Sequence, residues 1–242
     1  MLKETRKERE YRAREAQMLD LAREMLMRDG YLGLNMERIA SAVEYSKGTV
    51  YGHFPNKEEI ILALAVETQK KRTEMFQRAA VFHGSTRERV AAIGAAAELF
   101  VRLHHSHFHV EQIVRLSSIW EKTSEKRRQI MRNSETNCVG IVGGVVRDAI
   151  AQGDLSLPAE VSPEDVVFGL WSTNFGAFTL LSTSNSLVDL GIEDPVVAVR
   201  TCMNRMLDGF GWRTLSSEHD DGSVNRRGMN EVCPPADTQL QA

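Results

Sequence analysis

Residues 35–57 read NMERIASAVEYSKGTVYGHFPNK, and this stretch decides the fold. Asn35 can cap a short helix from Met36 to about Val43, its side-chain oxygen accepting from the first-turn amides. Ser46 can cap a second, from Lys47 to about His53, which Pro55 stops. Asn56 opens a further, longer helix with Glu59 at its third position, as in a capping box. Two short helices joined by a tight turn and braced by a third make a helix-turn-helix. In that motif the second helix must start small and polar, because its N-terminal residues enter the major groove. Ser46, Lys47, Gly48 and Thr49 meet the requirement. The exposed amides of such a helix start attract phosphate, Gly48 lets backbone approach closely, and a threonine methyl can meet a thymine methyl. Val50 and Phe54, four apart, are expected to face Ile39, Ala40 and the preceding helix, whereas Tyr51, His53 and Lys57 can reach flanking phosphates. Lys47 has little other reason to sit at a helix start, where a positive charge opposes the dipole.

Outward from the motif, the apolar residues recur at three and four, and strand-type alternation is absent. The expected fold class is all-α: an N-terminal three-helix helix-turn-helix domain, then a second helical domain. The bracing helix runs from about Glu8 to Arg28, with Met18, Leu19, Ala22, Met25 and Leu26 on one face, and ends at Asp29-Gly30. Beyond the fourth helix, further helices are expected at about 86–108, 110–121 and 124–152. Two more follow, from Ser162 to about Leu181 and from Asp194 to about Phe210. The expected domains are 1–57, 58–212 and a polar tail, 213–242, whose composition predicts disorder.

The 42% hydrophobic and 26% charged residues are those of a soluble globular protein, and no apolar run approaches a membrane span. The mixed-sign N-terminus is not that of a secretory signal. Cys138, Cys202 and Cys233 have neither disulfide-frame nor zinc-ligand spacing, and a reducing cytoplasm suits them. Net charge is −3, yet residues 1–14 carry six basic against three acidic side chains. A basic end on an acidic body suits a protein that presents one face to phosphate.

The run Ile39-Ala40, then Ser46 through Phe54, then Asn56-Lys57-Glu58-Glu59-Ile60 closely resembles the TetR family of transcriptional regulators, as do Met18-Leu19-Asp20 through Ala22 and Gly30-Tyr31. The resemblance implies a ligand-responsive repressor: an all-helical homodimer on a palindromic double-stranded DNA operator, released when a small-molecule effector occupies the C-terminal domain. It also implies that Lys47, Thr49, Tyr51, His53 and Lys57 contact DNA, with Asn35 touching phosphate. Glu44 stands where the family usually has the glycine of the turn, so a somewhat different turn is expected. Gly52 stands where a larger side chain often sits, removing one contact.

In the family the last two helices build a four-helix dimer bundle, here 163–181 and 194–210, the first of them apolar on more than one side. Phe100, Phe108, Trp120, Met131, Trp171 and Phe175 are the candidate pocket liners. His105 and His109 share a helix face, but a transition-metal site needs three or four ligands and the others cannot be named, so no metal or other cofactor is assigned. An enzyme is not expected. No P-loop, GxSxG elbow or HExxH pair is present, and no histidine from 53 to 109 follows a glutamate by three, as a di-iron bundle requires. The alternatives to a regulator are a dimeric helical interaction protein with degenerate DNA reading and, behind it, a metal-binding helical enzyme.

Overall fold

The computed structural model describes residues 5–183, 187–218 and 227–229. Among these the chain is all-α, with no strand. The helices are α1 (Arg6–Gly33), α2 (Met36–Ala42), α3 (Lys47–His53), α4 (Lys57–Ala80), α5 (Thr86–Leu103), α6 (His105–Ile113), α7 (Ser117–Glu121), α8 (Glu125–Gln152), α9 (Pro163–Thr183) and α10 (Pro195–Gly209). None is long and apolar enough to cross a membrane.

The sequence predicts these elements where caps and glycines mark the ends. Asn35 accepts from the Glu37 and Arg38 amides, Ser46 from Thr49, and Asp194 from Val197. Gly30 has φ 69° and breaks the helical path of α1, which resumes briefly to Gly33. Two expected helices are each divided. The 86–108 span breaks at His104 (φ −125°, ψ 49°), and the 110–121 span breaks around Leu116, whose backbone is extended. Neither break carries a glycine or proline, so local sequence does not announce it. The Asn56 cap is half of the expected box: Asn56 Oδ1 accepts from the Glu59 amide at 2.9 Å, but the Glu59 carboxylate turns away to the Ser124 amide and Arg127.

By packing, the chain divides into two compact units: one made of the chain up to Gln69 with His104–Ser134, the other of Lys70–Leu103 and the chain from Glu135 on. The first is larger than residues 1–57, because α4 shares one core with the helix-turn-helix. Met18, Leu26, Ile39, Val50 and Phe54 join Ile60, Ile61 and Leu64, with Val110, Ile119 and Met131, in a single buried cluster. Arg127 lies over the Phe54 ring and bonds Glu59, closing that core.

In the second unit α9 packs on α10 so closely that a Cβ at Gly169 would lie 3.1 Å from Met206 Sδ. Arg87, 1% exposed, donates to the Trp212 and Asn204 carbonyls and to Asp208. Trp212 is fully buried and donates to Thr86 Oγ1. Of the tail read as disordered, residues 213–218 and 227–229 are described; the Ser216 amide donates to Asp208 Oδ1 at 2.9 Å. The rest of that expectation lies outside the described residues.

Candidate nucleic-acid interface

The turn between α2 and α3 begins with Val43 as the α2 cap and Glu44 next to it. Glu44 takes the left-handed conformation, φ 57°. Its amide bonds the Ser41 carbonyl, and the Tyr45 amide bonds the Ala40 carbonyl. This is the Schellman pattern that glycine usually completes. The expectation of a different turn is therefore corrected: the turn keeps the left-handed shape, at a conformational cost that Glu44 bears.

That turn delivers Ser46 to the start of α3. Ser46 Oγ accepts from the Thr49 amide at 3.1 Å and lies 2.9 Å from Thr49 Oγ1. Val50 and Phe54 are fully buried, as their spacing predicts. The opposite face of α3 carries Lys47, Gly48, Tyr51 and Gly52, all exposed. A Cβ at Gly52 would meet nothing within 4 Å, and one at Gly48 only Ser46 Oγ at 3.8 Å. Nothing inside the protein requires either glycine. Two glycines in a short helix, each costing about 1 kcal/mol relative to alanine, leave bare backbone facing outward.

Lys47 Nζ lies 2.5 Å from Glu37 Oε1 on α2. The hydrogen bond and charge of each partner hold the Glu37 carboxyl below, and the Lys47 ammonium above, their ordinary pKa values. The lysine thus has a partner within the motif that the sequence reading did not find. Asn35 is exposed at the α2 start. Lys57 is half-buried, with Nζ 3.1 Å from the Tyr31 carbonyl and 4.1 Å from that ring's centroid. The Tyr31 hydroxyl donates to Glu58 Oε1 at 2.8 Å; burial and that carboxylate push its pKa up to about 12.

His53 is turned inward. It is 8% exposed and stacks on Tyr11 with ring centroids 3.9 Å apart. Burial lowers its pKa, favouring the uncharged ring. Tyr11, Arg14 and Tyr45 surround this end of the motif: the Arg14 guanidinium lies 5.8 Å from the Tyr45 ring centroid, and the Tyr45 hydroxyl donates to Gln17. Sequence reasoning missed these three, although Tyr11 and Arg14 share a helix stripe with Met18.

The candidate pocket liners do not form one group by packing unit. Phe108, Trp120 and Met131 belong to the first unit, Phe100, Trp171 and Phe175 to the second. Met131 is in the helix-turn-helix core and Trp120 packs against it. Trp171 sits edge-on to Phe168 on an exposed side of α9. In the histidine segment, His107 Nδ1 lies 3.0 Å from Thr68 Oγ1, whose own proton goes to the Leu64 carbonyl. Among the described residues no group of three or more His, Cys, Asp or Glu side chains is placed to hold a metal ion.

Residues 18–64, from the buried part of α1 into α4, match the family described as bacterial regulatory proteins, tetR family. The chain is 23% identical over 183 residues to the fatty acid metabolism regulator protein of Bacillus subtilis (strain 168), covering 72% of this chain and 91% of that protein. In fold it is similar to a bacterial regulatory protein in the tetR family from Rhodococcus RHA1, with TM-score 0.63 and 16% identity over 82% of this chain and 97% of that one. It is also similar to AibR, solved with isovaleryl coenzyme A and operator DNA, with TM-score 0.51 and 24% identity over 69% and 86%. The helix-turn-helix segment thus matches the tetR family of bacterial regulatory proteins, and the all-helical fold is similar to that of regulators in that family.

Proposed function

We propose that the chain is a ligand-responsive transcriptional repressor of the cytoplasm. It binds a palindromic operator as a homodimer and lets go when a small molecule occupies the second unit. The observation that carries this reading is the outward face of α3, where Lys47 and Tyr51 flank glycines that no internal contact requires. Asn35, Ser46, Lys47, Gly48, Thr49, Tyr51 and Lys57 supply the DNA contacts. His53 serves that surface from behind, as the rest for Tyr11. Glu44 does not count against DNA reading, because the turn closes around it.

Dimerisation is supported by the exposed side of the second unit's last helices. Phe168, Trp171 and Leu180 on α9 and Val197 on α10 are exposed, while Val166, Val167, Leu170 and Phe178 of α9 are buried. A helix apolar on two sides fits burial against its own unit and a twofold partner. In this reading the effector binds within the second unit, with Phe100 and Phe175 among its candidate liners. Because AibR holds an acyl thioester of coenzyme A and the Bacillus relative is named for fatty acid metabolism, acyl-CoA is the effector class to test first.

The test selects bound fragments from genomic DNA, footprints them, and adds acyl-CoA esters of increasing chain length. Protection of two half-sites related by a dyad, lifted by one ester range, supports the reading. A protein that protects no duplex contradicts it.

A further inference from the structure

The opening stretch of α1, residues 6–14, has no role in the core. Every residue from Thr5 to Arg14 is exposed, and the first buried residue of α1 is Met18. The stretch continues α1 as a helix and is capped at its start. Thr5 and Glu8 exchange the hydrogen bonds of a capping box: the Glu8 amide donates to Thr5 Oγ1, and the Thr5 amide to Glu8 Oε2 at 2.8 Å. The stretch carries Arg6, Lys7, Arg9, Arg12 and Arg14 against Glu8 and Glu10 only. Both carboxylates are occupied within the helix, Glu8 at the cap and Glu10 by Arg6 at 2.7 Å.

The stretch is aimed. Lys7, Tyr11, Arg14 and Met18 recur at i, i+4, i+7 and i+11, which makes one stripe along α1. Met18 anchors the stripe in the helix-turn-helix core, Arg14 lies over Tyr45 in the turn, and Tyr11 covers His53 at the end of α3. Lys7 lies one turn further along the same stripe. The cationic stretch is therefore fastened to the recognition helix itself, on the unit that presents the DNA-reading face.

We propose that residues 6–14 are a second DNA-contacting element, in which Lys7 and Arg14 meet phosphates flanking the groove entered by α3 and Tyr11 fixes the element in register. The proposal rests on the DNA-binding reading above. Its occupant is the duplex backbone, because the surplus charge is positive and the stretch is held at the end of α3 by the Tyr11–His53 stack and at the preceding turn by Arg14 on Tyr45. Phosphate contacts of this kind add affinity without sequence choice and steepen the salt dependence.

The experiment uses the full chain and a duplex that it selects from a random-sequence pool. Binding is followed by fluorescence anisotropy at rising KCl, for the wild type, the Lys7→Ala/Arg14→Ala double variant, Tyr11→Ala and Tyr11→Phe. The double variant is expected to bind the same selected sequence more weakly and to lose about 0.9 from the log–log salt slope per lost phosphate contact, so roughly 1.8 per protomer. Tyr11→Ala is expected to shift the slope in the same direction while Tyr11→Phe, which keeps the ring on His53, leaves it unchanged. A double variant with wild-type slope overturns the proposal, as does one that binds weakly with the slope intact. A wild-type protein that binds no duplex overturns the DNA-binding reading itself, which separates the two failures.

Discussion

Lys47 Nζ and Glu37 Oε1 lie 2.5 Å apart, across the turn that joins α2 to the recognition helix. Both side chains are about two-thirds exposed, so the pair is a surface one, open to competition from another anion. A phosphate or base edge that takes Lys47 has to displace Glu37, and the freed carboxylate then stands near the DNA. Glu37→Gln is therefore expected to tighten operator binding and steepen its salt dependence, with the chosen sequence unchanged. Anisotropy titrations of both proteins on one duplex check this, and unchanged affinity counts against the role given to Lys47.

Gly48 separates folding from binding. A Cβ there meets only Ser46 Oγ, at an ordinary contact distance of 3.8 Å. Gly48→Ala is expected to raise unfolding stability by up to about 1 kcal/mol. The same methyl blocks close approach of backbone to DNA, and affinity is expected to fall by about tenfold, ~1.4 kcal/mol. Urea unfolding and DNA titration on one preparation read the two opposite signs. A variant that gains stability and keeps full affinity removes the close approach from the account.

At the turn, Glu44 holds a left-handed backbone, φ 57°. Glycine adopts that conformation without the Cβ clash, although it also loosens the unfolded chain. Glu44→Gly is expected to stabilise the fold by roughly 0.5–1 kcal/mol net, read as a higher urea midpoint with unchanged m-value. Destabilisation would show that the Glu44 side chain contributes more than its backbone costs.

Asp29 gives the first unit a pH signature. Hydrogen bonds from Arg28 and then Arg38, together with their charges, hold its carboxyl down at about 2, against an ordinary 3.8. Because the folded value is depressed, the contribution is present above about 3.8 and is lost as pH falls toward 2. Carbon-13 NMR of the carboxyl is expected to show that low midpoint, and Arg38→Ala to move it back toward 3.8. An Asp29 that titrates near its ordinary value in the intact protein contradicts the pairing.

How much of this was legible in the sequence varies with the physical signal involved. Caps and burial at fixed spacing are local, so Asn35, Ser46, Val50 and Phe54 announce their places, and the limits of α3 follow. Contacts between distant segments leave no such mark. Tyr11 beside His53, Arg127 over Phe54 and the Glu37–Lys47 pair depend on tertiary placement, and His53 accordingly reads as a phosphate contact when it is in fact turned under a tyrosine ring. The break at His104 comes without glycine or proline, so no local residue marks it. Glu44 misleads in the other direction: propensity argues against a left-handed residue, and the two turn hydrogen bonds override it. The aromatic liners are the least legible, since a periodic Phe or Trp looks the same in a core, a pocket or an interface.

The central claim is that α3 reads DNA through Lys47 and its neighbours. It is tested most directly by titrating the full chain and its Lys47→Ala variant against a duplex selected from genomic DNA, at several salt concentrations. The account predicts sequence-selective wild-type binding that weakens steeply with salt, and a variant that binds less tightly with a shallower slope. Salt-independent binding, or a Lys47→Ala protein equal to the wild type in affinity and slope, would contradict it.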